Sequence, residues 1–91
     1  NYRCRLGEID LVCEDGEALV FVEVRLRRDA RYGGAGASID FRKQQRIVAA
    51  ARHWLAMHAA RAGERPCRFD AVLLDALDDA RVEWIRDAFA A

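Results

Sequence analysis

Two strand-like runs on either side of Asp15-Gly16 constrain this chain more than any other feature. Residues 8–14, Glu-Ile-Asp-Leu-Val-Cys-Glu, alternate, so Ile9, Leu11 and Cys13 face one way while Glu8 and Asp10 face the other. Residues 18–27, Ala-Leu-Val-Phe-Val-Glu-Val-Arg-Leu-Arg, are apolar and β-branched and end in charge. Asp-Gly between two such runs is a tight-turn signal, because glycine adopts the positive φ that the turn requires. The chain therefore opens with an antiparallel hairpin. A two-residue loop at Asp15-Gly16 sets Glu8 opposite Glu23 and Asp10 opposite Phe21. Opposed side chains share a sheet face, so Glu8, Asp10, Glu23 and Arg25 lie on one side, with Asp10 diagonal to Glu23. A four-residue loop keeps this parity and a three-residue loop reverses it.

Formal net charge is zero, from 15 Lys+Arg and 15 Asp+Glu, which argues against bulk attraction to nucleic acid or membranes. The distribution is uneven. Residues 1–24 carry Arg3 and Arg5 against Glu8, Asp10, Glu14, Asp15, Glu17 and Glu23. Residues 25–46 carry Arg25, Arg27, Arg28, Arg31, Arg42, Lys43 and Arg46 against Asp29 and Asp40. Such a division suits a cation-loaded site beside an anionic substrate, and equally two solvated faces that differ. Carboxylates gathered on one face repel and raise one another's pKa. A hard divalent cation removes that cost, and Mg²⁺ typically takes one or two carboxylates with waters and substrate phosphates. This pattern points to metal-assisted phosphodiester hydrolysis. The alternative is that the acids pair with Arg3, Arg25 or Arg68 on a partly exposed face.

Residues 28–38, with Gly33, Gly34 and Gly36, predict an exposed, mobile loop, and no Gly-Lys-Ser/Thr accompanies it to make a phosphate loop. From Ile39 to Ala62 the pattern is helical: Phe41, Val48, Ala51, Leu55 and His58 form a stripe that Ile47 and Trp54 widen. Ser38 or Asp40 caps its start and Gly63 ends it. Residues 67–74 read as a central, doubly covered strand, Arg81–Ile85 as a short further strand, and Asp87–Ala91 as a helical turn. The order is β-β-α-β, a mixed α/β sheet with a helix packed on it, in a single domain over residues 1–91.

Other features set boundaries. No run approaches the ~20 apolar residues of a membrane span, and no basic-then-apolar leader opens the chain. Cys4, Cys13 and Cys67 are odd in number and lack CxxC spacing, which implies buried or half-buried thiols in a reducing cytoplasm. His53 and His58 are spaced too far around a helix to share a metal, and His58 reads as a partly buried core residue. Trp54 and Trp84 read as core anchors. Asp70 is expected to bind an arginine, a helix terminus or the edge of the site.

The segment Asn1-Tyr2-Arg3-Cys4-Arg5-Leu6-Gly7-Glu8-Ile9-Asp10-Leu11-Val12, followed by Leu19–Arg27, resembles the YraN-like family of uncharacterised bacterial proteins. So do Lys43 with Arg46, Cys67-Arg68-Phe69-Asp70-Ala71-Val72, and Ala88-Phe89. The resemblance implies a restriction-endonuclease-like mixed sheet, with the PD-(D/E)xK pattern also found in archaeal Holliday-junction resolvases, and an N-terminal helix before Asn1. By position, Asp10 and Glu23 would be metal ligands for Mg²⁺ or Mn²⁺, assisted by the Val24 carbonyl. Arg25 stands where the pattern has lysine; its planar fork stays protonated, so it can hold a phosphate oxygen but shuttles protons poorly. Lys43, the only lysine, is the candidate replacement, with Gln44 and Glu8 assisting. Arg27, Arg28, Arg31, Arg42 and Arg46 are the expected phosphate contacts, giving salt-dependent binding. The expected activity is DNA endonuclease cleavage of branched or structured DNA in repair or recombination, by a cytoplasmic homodimer. A non-catalytic module that binds nucleic acid or protein is the alternative.

Overall fold

In a computed structural model describing residues 1–27, 39–75 and 78–91, the expected hairpin forms with its turn one residue later than Asp15-Gly16. Strand β3 (Leu11–Asp15) pairs antiparallel with β4 (Ala18–Arg27), with Leu11 opposite Val22 and Asp15 opposite Ala18. Gly16 and Glu17 are thus the loop, and Gly16 takes φ +59°, which an L side chain rarely adopts. Moving the turn by one residue shifts the pairing by two, so face parity survives. Continued one residue outward, this register brings Asp10 level with Glu23 instead of diagonal to it.

The first predicted strand is broken at Asp10. Ahead of it, β1 (Tyr2–Cys4) and β2 (Gly7–Ile9) form a separate two-stranded antiparallel sheet in which Arg3 faces Glu8. The expected Glu8–Glu23 pairing is therefore replaced by a pairing across this smaller hairpin.

Helix α1 (Phe41–Met57) starts at Asp40, whose carboxylate accepts the Lys43 N–H at 2.8 Å as an N-cap. The helix does not run unbroken to Ala62. It ends at His58, and a short α2 (Ala59–Ala62) follows, closed by Gly63 at φ +54°. Strand β5 (Cys67–Asp75) then lies parallel to β4, with Val22 beside Asp70 and Val24 beside Val72. Strand β6 (Asp78–Phe89) closes the sheet antiparallel to β5. The order is β3-β4-β5-β6, so β4 and β5 are the inner strands, as the apolar second half of β5 predicts. The expected helical turn over Asp87–Ala91 is instead the end of β6. Its pairing slips between Phe69 and Ala71, and Asp87 takes φ +52° there, so the strand continues past the irregularity to Phe89.

The helix packs on one face of the large sheet. Phe21, Phe69 and Phe89 stack in series, with ring centroids 5.6 and 5.0 Å apart, against Ile47, Ala50 and Ala51. Each such buried aromatic contributes roughly 1.5–3 kcal/mol through burial. Trp54 packs edge-on to Phe21 and stacks on the half-buried His58. Two expected core members stand elsewhere: Phe41 is 70% exposed, and Trp84 is 51% exposed. Phe41 opens the helix on its solvent side, and Trp84 lies on the sheet face opposite α1. That face buries Val20, Val22 and Val72. Cys4 and Cys13 are half-buried, but Cys67, at the start of β5, is exposed; all three are free. Among the described residues no helix is long and apolar enough to cross a membrane. The glycine-rich loop, with Ser38, Arg28 and Arg31, lies outside the described residues.

Candidate functional site

Alternation along β4 puts Phe21, Glu23 and Arg25 on the helix-covered face. Glu23 is consequently taken out of water, with only 5% of its surface exposed. Three groups converge on it. Asp10, at the junction between the two sheets, reaches across to β4, where its Oδ2 accepts the Val24 N–H at 2.8 Å. Lys43, in the first turn of α1, brings Nζ to 3.7 Å from Glu23 Oε1. Arg25 Nη1 lies 3.9 Å from the same oxygen. The structure thus brings together Asp10, Glu23, Val24, Arg25 and Lys43 from three separate segments.

The electrostatics follow from this arrangement. Burial pushes the Glu23 carboxyl above its ordinary range, and the Asp10 charge pushes it further; Lys43 and Arg25 pull against both. The upward push prevails. Buried carboxylates that crowd one another in this way are the setting in which a divalent cation is favourable.

Glu8 stands at the margin. Its charge still raises Glu23, yet its oxygen Oε1 is engaged by Asn1 Nδ2 at 2.5 Å and by Arg3 Nε at 3.3 Å. Among the described residues, no three His, Cys, Asp or Glu side chains gather as a metal-binding group. The expected convergence of three acids narrows to Asp10 and Glu23. Gln44 is also partly committed, since its amide nitrogen donates to the Ile39 carbonyl at 2.9 Å. Arg42 and Arg46 are exposed on α1, and Arg27 is the last residue of β4.

Of the partners expected for Asp70, an arginine, a helix terminus or the edge of the site, the structure supplies the arginine. Asp70 is fully buried, at 0% exposure. Arg68 reaches it through Nε at 3.0 Å and Nη2 at 3.1 Å, the Trp84 indole N–H at 2.7 Å, and the Asp87 N–H at 2.9 Å. Burial pushes the Asp70 carboxyl up, but these donors outweigh it and hold it below the usual value. Arg68 extends the network to Asp15 at 2.8 Å, which lowers the Asp15 carboxyl. A buried acid two residues from an arginine on one strand face was the available signal. The network lies on the face away from α1 and fixes the end of β6.

A family model described as the uncharacterised protein family UPF0102 matches residues 1–74, a span that contains Asp10, Glu23, Arg25 and Lys43. The chain belongs to UPF0102. A UPF0102 protein of Methylobacillus flagellatus is 54% identical over 91 residues, covering 100% of this chain and 77% of the relative. One from Nitrosomonas europaea is 54% identical over 89 residues, covering 98% and 73%. One from Xanthomonas campestris pv. campestris is 55% identical over 89 residues, covering 98% and 71%. The resemblance to YraN-like bacterial proteins of uncharacterised function is thereby borne out. UPF0102 membership fixes kinship across both hairpins, α1 and most of β5, the elements that carry the charged cluster.

Proposed function

We propose that this UPF0102 chain is a metal-dependent DNA endonuclease domain of the restriction-endonuclease-like type, acting in the cytoplasm as a homodimer on branched or structured DNA. The observation that carries the reading is the buried Glu23 carboxylate, flanked by Asp10 and faced by Lys43 at 3.7 Å and Arg25 at 3.9 Å. Two carboxylates with the neighbouring Val24 carbonyl are a hard oxygen donor set suited to Mg²⁺ or Mn²⁺. Asp10 and Glu23 would hold the ion, which when bound supplies Lewis acidity toward a phosphate oxygen and a more acidic water.

The chain's own residues supply the remainder. Arg25 offers a planar pair of N–H donors to a phosphate oxygen and keeps its proton throughout. Lys43 places a compact ammonium where negative charge develops on the phosphoryl oxygens. The Asp40 cap fixes the backbone of Lys43 and so limits where its side chain can reach. Arg42 and Arg46, exposed on the same helix, hold flanking backbone phosphates.

One observation favours a second reading. Asp10 and Glu23 are matched in number by Arg25 and Lys43, so the cluster is balanced without any ion, as a non-catalytic nucleic-acid-binding or protein-binding module would require. Calorimetry with Mn²⁺ separates the two. Heat of binding in the wild type, absent in Asp10→Ala, supports the nuclease. Cleavage of linear, nicked and four-way DNA, with Glu23→Ala as control, then tests catalysis. Absence of both heat and cleavage overturns the nuclease in favour of the module.

A further inference from the structure

A cleft of about 370 Å³ lies between the β1–β2 hairpin and the first half of α1, walled by Arg3, Glu8, Lys43 and Arg46 with Gly7 at its base. Three of those side chains are cationic and one is anionic. The arginine side chains are exposed, but the cleft between them is built by a close backbone approach. A Cβ on Gly7 would lie 2.4 Å from the Arg46 carbonyl oxygen, so hairpin and helix meet without any side chain between them. Its floor is therefore set before a ligand arrives, which reduces the ordering cost of binding. Lys43 belongs to both this cleft and the Glu23 cluster, so the two are contiguous.

We propose that this cleft holds a DNA backbone phosphate adjacent to the scissile one, with Arg3 and Arg46 as its donors and Glu8 as a built-in competitor. The volume sits near the small end of the roughly 300–1,000 Å³ range of ligand clefts, so it accepts one nucleotide unit and not a duplex. Guanidinium groups suit phosphate oxygens through paired N–H donors. Arg3 is at present engaged with Glu8 at 3.3 Å, on an exposed pair that yields at small cost. An incoming phosphate takes Arg3 from Glu8. Glu8 thus tunes affinity for the strand, a different part from assisting a metal ion. The proposal rests on DNA as the substrate.

Fluorescence anisotropy of a labelled four-way DNA junction in EDTA, over a series of salt concentrations, tests it. Arg46→Ala and Arg3→Ala should each weaken binding roughly tenfold and flatten the log K against log salt slope by about one. Glu8→Gln should tighten binding several-fold, because it frees Arg3 from its competitor. Circular dichroism confirms that each variant is folded. Wild-type affinity and slope in both arginine variants, or no tightening in Glu8→Gln, overturns the proposal. EDTA removes divalent ions, so this outcome is independent of the Mn²⁺ calorimetry on Asp10→Ala. Intact metal binding with no effect of the arginines sinks the cleft alone. Failure of the wild type to bind any DNA sinks both the cleft and the DNA substrate.

Discussion

Lys43 Nζ stands 3.7 Å from Glu23 Oε1, joining the first turn of α1 to the middle of an inner strand. The same lysine gives its backbone N–H to the Asp40 cap at 2.8 Å. Helix initiation and charge placement are therefore coupled at one residue.

Lys43→Met should slow single-turnover DNA cleavage roughly 10²–10³-fold, the usual cost of losing one preorganised donor to developing charge. Lys43→Arg should recover part of that loss. Arg25→Lys should retain the wild-type rate or exceed it, since a lysine there is closer to the compact ammonium the chemistry favours. Quenched-flow cleavage assays on the same substrate compare all three. A Lys43→Met variant that cuts at the wild-type rate would remove the lysine from the mechanism.

Glu23 predicts a pH dependence of stability in EDTA. Its folded-state pKa lies above the ordinary 4.5, so the folded chain holds this proton more tightly than the unfolded chain does. The associated stability is complete below pH 4.5 and is lost as pH rises through the raised value. Glu23→Gln, which never ionises, should match the wild type in acid and melt above it at neutral pH. Thermal unfolding of both proteins from pH 4 to 8, read as Tm, checks the crossing point.

Divalent metal should erase that penalty. A ligand that binds only the folded chain stabilises it by about 2.7 kcal/mol at a hundred times its Kd, several degrees in Tm for a chain of this size. Mn²⁺ should therefore raise the wild-type Tm and leave Asp10→Ala unmoved. Differential scanning fluorimetry with and without Mn²⁺ reads the difference.

Asp70→Ala should cost about 3–5 kcal/mol in urea unfolding, because it removes the acceptor of Arg68 Nε and Nη2 and of the Trp84 and Asp87 N–H groups, leaving Arg68 only its Asp15 contact among those described. Asp70→Asn keeps an acceptor and should cost less. The acid side follows from the lowered Asp70 carboxyl: its stability is present above the ordinary 3.8 and is lost as pH falls through the depressed value. The acid limb of wild-type unfolding should thus flatten in Asp70→Asn.

Gly7→Ala should destabilise by about 1–3 kcal/mol, the range for forcing extra volume into a packed contact. The added Cβ meets the Arg46 backbone oxygen at 2.4 Å, and a carbonyl on a helix cannot swing aside as a side chain can. Limited proteolysis should cut the variant first within residues 1–9, and faster than the wild type.

Much of this fold is legible in residue order, and the failures have identifiable causes. Asp15-Gly16 locates the turn, but Gly16 alone needs positive φ, so the loop slides to Gly16-Glu17 and the acids come level. Parity is robust to that slide because side chains alternate with period two. The small hairpin of β1 was not legible: Arg3, Cys4 and Arg5 carry no apolar alternation, and its partner Gly7–Ile9 looks like a continuation of the next strand. The end of β6 departs from its local pattern for a related reason. Asp-Ala-Phe-Ala has ordinary helical propensity, and long-range contacts hold it in the sheet: the Asp87 N–H bond to Asp70, and the pairing and stacking of Phe89 on Phe69. In the cluster, Asp10, Glu23 and Arg25 follow from strand parity, whereas the approach of Lys43 depends on how α1 lies across the sheet. That angle is set by Phe21, Ile47 and Ala51 packing, which no local pattern encodes.

Strand β4 has hydrogen-bonded neighbours on both sides, β3 and β5, and Glu23 sits in its middle. Amide exchange at Glu23 therefore waits on cooperative loss of the whole sheet, while Asp10 lies at a break between sheets and Lys43 in a helix's first turn, where fraying is inexpensive. The backbone amides of the cluster should therefore exchange at unequal rates, slowest at Glu23 and sooner at Asp10 and Lys43.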